Sequence, residues 1–143
     1  MNIKQISIFL ENKKGKLAEV TKLLTGASIN IRALSLAETT EFGILRLIVN
    51  DPGRCLKILK ENNIIAQETD VIAVEIEDKP GGLNGILQIF NSANINIEYM
   101  YAFIEKKKDN AIVIFRIDDS QKAINALKTN GISVATDEIL NNT

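Results

Sequence analysis

NKKGKLAEVTKLLTGASINI, residues 12–31, and DKPGGLNGILQIFNSANINI, residues 78–97, decide the fold of this chain. At an offset of 66 residues they share Lys13/Lys79, Gly15/Gly81, Leu17/Leu83, Ala27/Ala93 and the Ile-Asn-Ile at 29–31 and 95–97. Positions 6–36 against 72–102 give nine identities in 31 ungapped pairs, with Ile6/Ile72 and Glu11/Glu77 completing the set. After a two-residue insertion in the Lys-rich stretch EKKKDN the offset becomes 68. Ile44/Ile112, Asp51/Asp119, Leu59/Leu127, Lys60/Lys128, Asn62/Asn130 and Ile64/Ile132 then match. The chain is two copies of a unit of about 70 residues, near the lower size at which a hydrophobic core stands alone. We divide it into 1–69 and 70–143.

Periodicity reads the same way in each copy. Ile6, Ile8 and Leu10 alternate with other residues, as do Ile72, Val74 and Ile76, which predicts a first strand. Turn residues follow, ENKKG and EDKPGG. Leu17, Val20, Leu24 and Ala27, then Leu83, Ile86, Phe90 and Ala93, recur at helical spacing as a core-facing stripe. GASINI and SANINI close the helix and open a second strand; GILRLIVND and AIVIFRIDD form a third. A shorter helix carries Cys55, Ile58 and Leu59, or Ala123, Ala126 and Leu127, before a short last strand from Ile64 or Ile132. The class is α+β: two ferredoxin-like βαββαβ units, each an antiparallel sheet with both helices on one face. With only Asp70 between AQET and VIAVEI, the units are expected to be packed together.

Composition narrows the function. The 143 residues are 45% hydrophobic and 24% charged, as in a folded globular protein. A net charge of −1 (17 basic, 18 acidic) argues against nucleic acid as a partner. With no histidine, every Ser-His or Cys-His pair and the commonest zinc ligand are absent. One cysteine excludes an internal disulfide or a multi-cysteine metal site. The start, MNIKQISIFL, resembles no signal peptide, and no apolar run approaches the ~20 residues of a membrane span. A cytoplasmic protein without membrane contact is expected. No two acidic residues have a spacing that would set them across a reacting bond, so no enzyme, catalytic residue, cofactor or metal is expected either.

The two strand-to-helix turns are the candidate sites. A helix N-terminus presents N–H groups and partial positive charge to an anion, and glycine there lets a ligand approach the backbone. Gly15 and the pair Gly81-Gly82 hold that position. PGGLNG lacks the Lys-Ser/Thr of a phosphate loop, and a glycine can equally serve the turn alone.

Residues 78–97 resemble the pattern of the ACT domain, a small regulatory module that binds free amino acids: an acidic or amide residue, Pro-Gly-x-Leu, a helix, then Gly/Asn-Ile-Asn-Ile. Residues 12–31 and the following ALSLAETTEFGILRLIVNDP follow it too, so the resemblance covers nearly the whole chain. The first copy departs at Lys14, where the family usually has proline, and at Asn12, where it often has aspartate. The resemblance implies a ligand at the interface between paired domains, lined by this turn and by second-strand residues of a neighbour. The amino acid's carboxylate would meet the N–H groups around Gly15, Lys16 and Leu17, or Gly81, Gly82 and Leu83. Its ammonium would meet Asn12 or Asp78 or a carbonyl. Lys14 and Pro80, in the same turns, are counted with these as ligand-binding residues. Asn30, Asn96 and Tyr99 stand as further contacts, while Asp78 could instead cap its helix and the asparagines could serve as left-handed helix exits.

The copies differ most in the second strand: Tyr99, Tyr101 and Phe103 replace Ala33, Ser35 and Ala37. They could pack on the small residues of the other copy, which we favour, line a ligand site, or stack bases. The asymmetry predicts that one half-site binds better than the other. Arg32 and Glu98, at equivalent positions, could meet as an ion pair. Cys55 reads as a packed small hydrophobe, and Lys106, Lys107 and Lys108 as a solvated hairpin. The function expected is that of a homo-oligomeric sensor of a free amino acid that modulates a separate, unidentified protein. The alternative is a ligand-free oligomerisation scaffold using sheet edges and the aromatic strand.

Overall fold

A computed structural model describes residues 2–11, 13–38, 41–103 and 110–136. Its elements are β1 (Ile3–Glu11), α1 (Lys16–Gly26), β2 (Ile31–Glu38), β3 (Phe42–Val49), α2 (Pro52–Glu61) and β4 (Ala66–Glu77). They continue as α3 (Gly82–Ser92), β5 (Ile97–Ala102), β6 (Asn110–Ile117), α4 (Ser120–Thr129) and β7 (Val134–Ala135). The chain divides into two units, Lys4–Thr69 and Asp70–Thr143 with Met1–Ile3. β4 therefore supplies the last strand of the first unit and the first of the second. The order is βαββαβ in each, as periodicity predicts.

In the first unit β3 runs antiparallel between β1 and β2, with Leu47 opposite Ile6 on one side and Leu34 on the other. The start of β4 flanks β1, where the Phe9 N–H donates to the Ile65 carbonyl at 2.9 Å. In the second unit β6 lies between β4 and β5, with Phe115 opposite Ile72 and Met100. β7 pairs with β4 through Ala73 and Ala135. These are two antiparallel ferredoxin-like sheets.

Strand alternation puts one residue in two on the helix side, and that side holds the core. Ile6, Ile8, Leu10, Leu45, Leu47 and Val49 meet Val20 and Leu24 of α1 and Cys55 and Leu59 of α2. Ile72, Val74, Ile76, Phe115 and Ile117 meet Ile86 and Phe90 of α3 and Ala123, Ile124 and Leu127 of α4. Phe90 and Phe115 pack edge to face, with ring centroids 5.2 Å apart. The second helix of each unit starts by the same device. Asp51 and Asp119 accept from the N–H groups of Arg54 and Lys122, each at 3.1 Å, and Pro52 sits at the first helical turn. Among the described residues no helix is long and apolar enough to cross a membrane. The lysine hairpin 106–108 lies outside the described residues.

Cys55 is fully buried, and that burial, with the Asp51 charge second, pushes its thiol pKa up to about 11. Iodoacetamide at pH 8 is expected to leave the native chain unmodified, and urea to expose one reactive thiol; rapid native labelling would contradict this packing. Phe90→Ala is expected to cost about 3–5 kcal/mol, read as a lower urea midpoint with an unchanged fold at low urea.

Candidate functional site

Both turns are built alike. Gly15 (φ 86°) and Gly81 (φ 88°) are left-handed and stand at the helix N-cap with no side-chain cap. A Cβ at either meets nothing within 4 Å, so the demand for glycine there is conformational. Gly82 is required for a different reason: a Cβ on it would overlap the Glu77 carbonyl oxygen. Before each glycine the chain is clipped twice. The Lys13 and Lys79 N–H groups donate to the Glu11 and Glu77 carbonyls at 2.8 and 3.0 Å. Their ammonium groups meet the same glutamates' carboxylates at 2.8 and 2.7 Å. The hydrogen bond from Lys13, and then its charge, hold the Glu11 carboxyl below its ordinary value. Glu77 likewise raises Lys79. These repeated identities had no role in the sequence reading; the signal was their spacing on either side of the turn.

The Lys16 and Gly82 N–H groups already donate to the Lys13 and Lys79 carbonyls, at 3.3 and 3.0 Å. Those two donors are therefore engaged within the turn itself. The next N–H groups, on Leu17 and Ala18 and on Leu83 and Asn84, have no intrahelical acceptor. Leu17 and Leu83 are also misplaced by periodicity. They are 37% and 39% exposed, not core, because a helical side chain leans toward the N-terminus and in the first turn covers the preceding loop. Each unit thus sets an exposed leucine beside a left-handed glycine and a helix N-terminus.

A groove lies at each turn, and its size differs. In the second unit Ile76, Glu77, Gly82, Gly85, Ile86 and Ile132 help line about 280 Å³. In the first, Leu10, Glu11, Lys16, Glu19, Val20 and Ile64 help line about 170 Å³. The positions correspond at the repeat offsets, except that Lys16 and Glu19 replace Gly82 and Gly85. Those two side chains form an ion pair at 3.5 Å where the second unit has only backbone. Lys14, Asp78 and Pro80 are exposed on the turns, and Asn12 lies outside the described residues.

Asn30, Asn96 and Tyr99 are not brought to the turn of their own unit. The Asn30 N–H donates to the Asn50 Oδ1 at 3.0 Å and its carbonyl accepts from the Asn50 N–H at 3.1 Å; the Asn96 N–H and carbonyl bond likewise to the Asp118 Oδ1 and N–H, at 3.3 Å each. Tyr99 stands opposite Arg116, which donates to the Asp70 carbonyl at 3.0 Å, at the other end of β4 from Glu77. Nor are the asparagines left-handed helix exits: that conformation falls at Ser28 (φ 58°) and Asn94 (φ 61°), two residues earlier. Asn30 and Asn96 instead tie the start of the second strand to the end of the third. Tyr99, Tyr101 and Phe103 do share the helix-free face, and Glu98 pairs with Arg116 at 3.2 Å within its own unit. Among the described residues no three His, Cys, Asp or Glu groups converge as a metal site.

This duplicated strand, glycine turn and helix is what a family model described as an ACT domain pair matches, over residues 1–143. The chain belongs to the ACT domain pair family. The crystal structure of protein BT0572 from Bacteroides thetaiotaomicron is similar at 39% identity and TM-score 0.92, covering 98% of this chain and 96% of that one. The regulatory subunit of aspartate kinase from Thermus thermophilus matches at 16% identity and TM-score 0.63, covering 88% and 90%. Clostridium acetobutylicum aspartate kinase matches at 17% identity and TM-score 0.56, with 88% of this chain on 32% of that one. No curated protein matches. The fold is that of the ACT regulatory domains, two to the chain.

Gly81→Ala is expected to destabilise by about 1 kcal/mol, through backbone strain alone. Gly82→Ala should cost more, because the turn must move; equal urea midpoints would contradict the close approach to Glu77. Replacing Lys13 by Met should let the Glu11 carboxyl titrate back toward its ordinary range by NMR. Because the paired carboxyl is depressed, the clip's stabilisation is present above the ordinary carboxylate pKa and is lost as pH falls through the lowered one.

Proposed function

We propose that this ACT domain pair binds a free amino acid at the glycine turns and thereby modulates a separate protein, itself performing no catalysis. The observation that carries this is the turn itself: a left-handed glycine, N–H groups beyond the intrahelical ladder and an exposed leucine, repeated in both units. A carboxylate suits the N–H groups of Leu17 and Ala18 or of Leu83 and Asn84. The ammonium suits Asp78 in the second unit and Asn12 in the first. The leucine offers apolar surface to the amino acid's side chain. Such a ligand acts on a partner only through its different affinity for two states of this chain.

The second unit is the better site in this reading. Gly82 and Gly85 leave wider the groove that Lys16 and Glu19 line with side chains in the first unit, and Asp78 adds a counter-charge. Calorimetric titration with the bound amino acid should show one tighter and one weaker site per chain; two equal sites would contradict the asymmetry.

A thermal-shift screen against the common amino acids tests the proposal. Ligand at ~100 times its Kd adds about 2.7 kcal/mol, several degrees of Tm for a chain this size. A flat response to all of them sinks the proposal. Gly85→Glu, on the open side of helix α3, recreates the first unit's acidic side chain and improves helix propensity. It should raise the basal Tm slightly while reducing the ligand-induced shift, a combination that general damage does not produce.

A further inference from the structure

The helix face of each unit carries a further groove, between its two helices. In the first unit Lys22, Leu23, Gly26, Ala27, Ile58 and Ile64 help line about 560 Å³. In the second, Gln88, Ile89, Ser92, Ala93, Ala126 and Asn130 help line about 480 Å³. At the repeat offsets Leu23 matches Ile89, Ala27 matches Ala93 and Ile58 matches Ala126, so the fold makes this groove twice. Its charge is another matter. Lys22, Arg54 and Lys57 stand where the second unit has Gln88, Lys122 and Asn125. Lys122 is held by the Asn94 carbonyl at 3.3 Å. Lys22, Arg54 and Lys57 are exposed, and among the described residues no carboxylate pairs with their side chains. The imbalance extends to the whole unit: residues 1–69 hold 10 basic and 7 acidic side chains, and 70–143 hold 7 and 11.

Floor and rim specify different parts of an occupant. Leu23, Ala27, Ile58 and Ile64 are half-buried, and Gly26 puts no side chain over the end of α1. By helical spacing Lys22 lies on the crest of α1, and Arg54 and Lys57 flank Ile58 on the exposed side of α2. Glu61 shares that crest, while Glu19 is already paired with Lys16 at 3.5 Å. The rim therefore keeps an excess of positive charge over an apolar floor. A flat lipid surface reaches crests rather than a floor sunk between them, and a nucleic acid duplex brings no apolar stripe to fill it. An extended peptide also fits poorly, because the helical walls bond their backbone groups internally and leave none for a strand. A helix with an apolar stripe and acidic flanks satisfies floor, rim and its own backbone. From Glu19 to Gly26 the α1 wall runs about 10 Å, room for apolar anchors at i, i+3 or i+4 and i+7.

We propose that the α1–α2 groove of the first unit docks an acidic amphipathic helix of another protein. Leu23, Ala27 and Ile58 take its apolar stripe; Lys22 on one side and Arg54 and Lys57 on the other take its carboxylates. The groove shares Glu19 and Ile64 with the smaller one at the glycine turn, so the two sites of this unit abut. The proposal rests on the reading that this chain acts on a separate protein, to which it gives a surface and a chemistry. It does not rest on amino-acid binding at the turns.

The test uses the full chain and a stapled helical peptide with leucines at i, i+3 and i+7 and glutamates on both flanks. This peptide should shift the amide NMR signals of Leu23, Gly26, Ala27 and Ile58, and leave those of Ile89, Ser92, Ala93 and Ala126 in place. Lys22→Glu combined with Lys57→Glu should raise its Kd roughly tenfold with little change in Tm. The same peptide with lysines for glutamates should bind that double variant better than the unaltered chain. A scrambled peptide of equal composition should not bind. No shift at the groove with ~1 mM peptide, equal binding of the scrambled peptide, or a double variant that binds as before would each overturn the proposal. So would groove shifts produced by phosphatidylserine vesicles and not by the peptide. Peptide binding with a flat amino-acid screen removes the sensing reading and keeps this surface; an amino-acid response without peptide binding does the reverse.

Discussion

One alternating face of the central strand governs each unit. Ile6, Ile8 and Leu10 in β1, and Ile72, Val74 and Ile76 in β4, must be covered, and in a unit this small only two helices on one side cover them. The chain must therefore leave the strand, reverse and start a helix over the same face within a few residues. That requirement produces the left-handed glycine, the backbone clip from Lys to Glu across the turn, and a helix that begins without a side-chain cap. The candidate site is a by-product of that reversal. What the turn needs for folding, an exposed helix start next to a glycine, is also what suits an anionic group.

Duplication then lets the two copies of one solution diverge. Where the second unit has Gly82 and Gly85, the first has Lys16 and Glu19, whose side chains line a smaller corresponding groove. Where the first has Ala33, Ser35 and Ala37, the second has Tyr99, Tyr101 and Phe103. The substitutions fall outside the helix-side clusters of the two cores, so each unit keeps its fold while its turn and its outer strand take on different properties. The second unit has the roomier turn and the aromatic outer strand, and the first has the narrower turn and the small-residue one.

The fold was legible because its signals are local and repeated. Alternation in strands, helical spacing at Val20 and Leu24 or Ile86 and Phe90, and aspartates at 51 and 119 ahead of helices each act within a few residues of the chain. Part of the site was legible on the same grounds, since glycines at a strand-to-helix turn stand out. Other parts were not. Leu17 and Leu83 have core spacing, but lean over the loop because they lie in the first helical turn. Asn30 and Asn96 also read as left-handed helix exits, whereas that conformation falls two residues earlier and their backbone groups bond to Asn50 and Asp118, 20 and 22 residues away.

By itself the sequence determined the number of units, the order of their elements, the face that each strand buries and the position of the turns. All of these depend on period and turn chemistry, which neighbouring residues set between them. The tertiary structure decided that Gly82 is needed because the Glu77 carbonyl comes close, that the groove lined by Lys16 and Glu19 is smaller than its twin, and that Glu98 belongs to Arg116. Each depends on groups from different elements meeting at a few ångströms, and a linear pattern does not fix such distances.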